Sequence, residues 1–94
     1  MAKELTADER EVLRAWVEEL RARFDAQWAE VPLDELLVLA GSVAAGVARP
    51  AVPVTAYVAG YLAALHAQQP VGRDAAEVVQ DVIDAVPAPD AGGA

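Results

Sequence analysis

Between residues 36 and 65 the chain carries a single charge, Arg49. The stretch reads LLVLAGSVAAGVARPAVPVTAYVAGYLAAL. Pro50 disfavours helical geometry at Arg49, and Pro53 suits a helix start, where its missing N–H costs nothing. The run therefore predicts two apolar helices joined at a tight turn. On the first, Leu36, Leu37, Leu39, Ala40, Val43, Ala44 and Val47 fall at helical spacing. On the second, Val54, Tyr57, Val58, Tyr61, Leu62 and Leu65 form a heavy face, and Ala59, Gly60, Ala63 and Ala64 a light one. Neither helix has a charged face to offer water. A chain of 94 residues makes one domain, so little material is left to cover this pair.

The flanks supply two more helices. Thr6 with Glu9 makes a T-x-x-E capping box. After it Val12, Leu13, Trp16, Val17, Leu20 and Phe24 recur as one apolar stripe. Arg14 with Glu18, and Glu18 with Arg21, are spaced for surface pairing worth about 0.2–0.5 kcal/mol each. Trp16 reads as core, and Trp28 as a cover for one end of it. Pro32 suits the first turn of the next helix, with Asp34 as the alternative cap. Gln68, Gln69, Pro70 and Gly72 mark a turn. Asp74 with Glu77 is a second capping box, ahead of Ala75, Val78, Val79, Val82, Ile83 and Val86. The expected helices span about residues 7–26, 34–48, 53–67 and 74–86. Residues 1–5 are a polar N-terminal segment, and 87–94 a disordered tail of Pro, Ala and Gly with one Asp. Short connections between helices predict an all-α fold, a compact antiparallel bundle of four helices.

Charge and length remove several classes of function. Seven basic residues against fifteen acidic ones give a net charge of −8. Phosphate contacts need clustered Lys and Arg, so a nucleic-acid surface is not expected, nor is binding to an anionic membrane. The two apolar runs, thirteen and fifteen residues long, are shorter than the roughly twenty that cross a bilayer. Met1 to Arg10 shows no signal pattern. The absence of cysteine suits a reducing cytoplasm and removes disulfides and thiolate metal sites.

No cluster of residues specifies a reaction. His66 is the sole histidine, and no second ligand joins it at helical spacing; zinc would want three or four. Ser42 and Thr55 sit in helical segments, where hydroxyls bond back to the preceding turn, and neither has a base. Asp8/Glu9, Glu18/Glu19 and Asp34/Glu35 lie in first turns or on solvated faces. The glycines at 41, 46 and 60 lie inside helices with no strand beside them, so they form no nucleotide loop. The expectation is a non-enzyme without metal or cofactor.

Interaction is the remaining theme. Gly41 with Ala45, and Ser42 with Gly46, are small pairs spaced by four, which let a second backbone come close. Arg49 either caps the last carbonyls of its helix or pairs with a carboxylate, or else anchors a partner's carboxylate or phosphate. Tyr57 and Tyr61 lie one turn apart, at a core edge or as a polar rim. Surplus apolar surface of this size marks a contact site. The candidate interaction residues are thus Gly41, Ala45, Gly46, Arg49, Tyr57 and Tyr61. A homodimer is the plainest answer, and another protein the second. The alternative is a small-molecule-binding bundle with an apolar cavity between the two middle helices.

Residues 34–60, with the L-L-x-L-A run, the G-V-A-R-P-A-x-P turn and the T-x-Y-x-x-G helix, together with the tryptophan helix around Trp16, resemble a small actinobacterial all-helical family of unknown function. The resemblance covers roughly residues 13–86, and its most specific part is the turn from Gly46 to Pro53. Members of that family occur alone or fused to nucleotidyltransferases of the molybdenum cofactor guanylyltransferase type. The resemblance implies an accessory domain linked to molybdopterin guanine dinucleotide synthesis, with such a nucleotidyltransferase as partner. It brings no catalytic residues with it.

Overall fold

The computed structural model describes residues 5–26, 29–70 and 72–88. The chain is all-α, with four helices and no strand among the described residues. They are α1 (Ala7–Arg23), α2 (Leu33–Gly46), α3 (Ala51–Ala67) and α4 (Ala75–Ala85). The chain divides into two compact units, one holding α1 and the other α2, α3 and α4.

In the first unit the capping box forms as spaced. The Glu9 amide donates to Thr6 Oγ1 at 3.0 Å, and the Thr6 amide donates to Glu9 Oε1 at 2.9 Å. Asp8 and Glu9 then lie at the positive end of the helix. Arg21 pairs with Glu18 at 3.0 Å, whereas Arg14 turns back to Glu11 at 3.9 Å instead of reaching Glu18. These exposed pairs add little stability. None of α1 is buried, and Trp16 stays 53% exposed, so it is not the core residue its place in the stripe suggested. The physical reason is that the unit's described residues offer no second helix to pack against. Trp28, residues 1–4 and residues 89–94 lie outside the described residues.

The helix stops at Arg23 because Asp25 takes a left-handed backbone, φ 55°. That lets the Ala26 amide donate to the Arg21 carbonyl at 2.7 Å. A side chain in this region is strained, and glycine is not. Asp25→Gly should therefore steady the last turn by on the order of 1 kcal/mol. Slower amide exchange over residues 20–24 is the expected result, and unchanged exchange would show that Asp25 carries no strain.

In the second unit α2, α3 and α4 each pack against the other two. Leu39 and Val43 from α2, Ala59 from α3 and Val79 from α4 form the buried centre. Leu36, Ala51, Val52, Val82, Ile83 and Val86 surround it. Pro32, not Asp34, occupies the cap of α2, and Asp34 and Glu35 fill its first turn. Pro50 is already helical (φ −64°, ψ −16°), so α3 starts at Ala51 and Pro53 is its third residue. No amide is lost there, because the first turn has no intrahelical acceptors. At α4 the Glu77 amide donates to Asp74 Oδ1 at 2.9 Å, completing the second capping box with the reverse bond at 3.2 Å. Arg73 pairs with Asp81 and approaches Glu77 at 3.9 Å.

The orientation of α3 decides what this unit presents outward. Its light stripe faces in: Ala59 is 0% exposed, and Val52, Thr55, Ala63 and His66 are partly buried. Its heavy stripe faces out. Leu39, Val43 and Val79 already fill the centre, and close packing then calls for a small residue opposite them. A tyrosine or leucine at that position would hold α3 away from its neighbours.

Candidate interaction face

A helix advances about 100° per residue, so Val54, Tyr57, Val58, Tyr61, Leu62 and Leu65 fall within an arc of about 140° on α3. All six are between 37% and 69% exposed. Tyr57 and Tyr61 run along one margin of the arc, and Leu62 lies at the other. The two rings are 6.3 Å apart between centroids and tilted by 34°, a spacing that favours aromatic pairs. They stand on the surface, not at a core edge. The face carries no charge, and its backbone polar groups are engaged in the helix. What remains is an oily strip with two phenolic hydroxyls on its margin, a surface suited to burial against another apolar surface.

The small residues of α2 do not act together. Gly41 and Ala45 are exposed, and a methyl group added at Gly41 would meet nothing within 4 Å. Gly46 is occupied: a methyl there would overlap the Pro87 carbonyl and lie 3.1 Å from Val86 Cγ1. The close approach expected at Gly46 is thus made by the chain's own residues 86 and 87. Gly60, like Gly41, faces open space. Glycine inside a helix costs about 1 kcal/mol relative to alanine. Gly41→Ala and Gly60→Ala should each raise the stability of the isolated chain by about that amount, read as a shift in urea midpoint. A loss of stability in either variant would reveal a hidden contact.

Arg49 is exposed in the turn between α2 and α3. Within the three-helix unit its side chain makes no hydrogen bond or ion pair to a described residue. The end of α2 is closed by backbone bonds, from the Val47 and Ala48 amides to the Val43 carbonyl at 2.8 and 3.1 Å. His66 is partly buried, and its carbonyl accepts from the Gln69 amide at 3.1 Å. Among the described residues no group of three or more His, Cys, Asp or Glu is placed to hold a metal ion. The seam between α2 and α3 is filled by Leu39, Val43, Val52 and Ala59. A depression on α1 lined by Glu19, Ala22 and Arg23 is open to solvent. No helix among the described residues is long and apolar enough to cross a membrane.

Sequence spacing identified the heavy stripe but not its outward direction. One signal was present: Val52, Thr55, Ala59, Ala63 and His66 also repeat every three or four residues. No curated protein and no solved structure matches the chain. A family model described as a domain of unknown function, DUF6457, matches residues 8–91, from the first turn of α1 to beyond α4, and the chain belongs to that family.

Proposed function

We propose that this is a non-catalytic accessory domain that acts by binding protein through the outer face of α3. The observation that carries the reading is the uncharged strip from Val54 to Leu65, left in water by a helix that buries its alanines instead. Covering half-exposed valine and leucine side chains is favourable by on the order of 1 kcal/mol each. Tyr57 and Tyr61 add area while keeping their hydroxyls at the rim, as interface tyrosines do. The partner is a second copy of the chain or a different protein. The resemblance to the actinobacterial domains fused to molybdenum cofactor guanylyltransferases supports a nucleotidyltransferase of that type as the different protein. It also supports a cytoplasmic role in making molybdopterin guanine dinucleotide.

Sedimentation of the chain, alone and mixed with such a nucleotidyltransferase, tests this directly. The wild type should assemble in at least one of the two samples. Tyr57→Lys should weaken that assembly by roughly 30-fold, the scale of an interface hot spot, with an unchanged melting curve. A monomer in both samples, at high micromolar concentration, would rule the reading out.

A further inference from the structure

We draw no further inference here: the strongest candidate, the exposed apolar face of α3 from Val54 to Leu65, belongs to the interaction reading already given, and nothing in the structure shows what covers it.

Discussion

Leucine at Ala59 is expected to lower the melting temperature of the three-helix unit sharply, whereas alanine at Tyr61 leaves it nearly unchanged. Ala59 is fully enclosed, and its neighbours Leu39, Val43 and Val79 are themselves almost inaccessible. None of them has room to yield to a larger side chain. Overpacking a close-fitted core costs typically 1–3 kcal/mol, and sites without freedom to relax fall at the upper end. In a unit of this size about 3 kcal/mol corresponds to a drop of roughly 12–24 °C. Tyr61 is 58% exposed, so its loss removes little that the isolated fold depends on. Were the heavy face buried, the order would reverse: tyrosine to alanine would be the costly change, and Ala59→Leu would be harmless. Thermal melts of the two variants, at concentrations low enough that assembly does not contribute, decide between the two orientations.

Leu39→Ala should be the most damaging truncation in the chain. Leu39 is 2% exposed and packs into the same cluster as Val43, Ala59 and Val79. Removing a buried leucine side chain costs about 2–5 kcal/mol, the larger values arising where the surroundings cannot collapse into the gap. Folded domains hold only about 0.05–0.15 kcal/mol per residue, so this loss rivals the entire stability of the three-helix unit. Urea titration should show no native baseline at 25 °C. Val38→Ala, one residue earlier but 55% exposed, serves as control and should stay within about 0.5 kcal/mol of the parent. A folded Leu39→Ala with a normal midpoint would mean that the centre of the unit lies elsewhere.

How much of this is legible in the amino-acid sequence depends on the range of the interaction concerned. Both capping boxes are readable because Thr6 with Glu9, and Asp74 with Glu77, satisfy one another over three residues. The end of α1 is less so: Asp25 tolerates a left-handed turn, yet no glycine announces it. The facing of α3 is out of reach of periodicity. Two stripes on that helix share the same period, and the choice between them is made by the shape of α2 and α4. The candidate residues divide in the same way. Tyr57 and Tyr61 can be recognised as neighbours one turn apart. The Gly41–Ala45–Gly46 stripe reads as one surface but separates in space, because Gly46 is taken by Pro87, forty-one positions further along.

The seat of Pro87 on Gly46 has a mechanical consequence. It clasps the outgoing chain to the last turn of α2, three residues before Arg49. Tension applied beyond residue 88 would have to lift the proline carbonyl off the glycine before it could peel α4 away. The clasp also fixes the point from which any tethered neighbour must measure its reach.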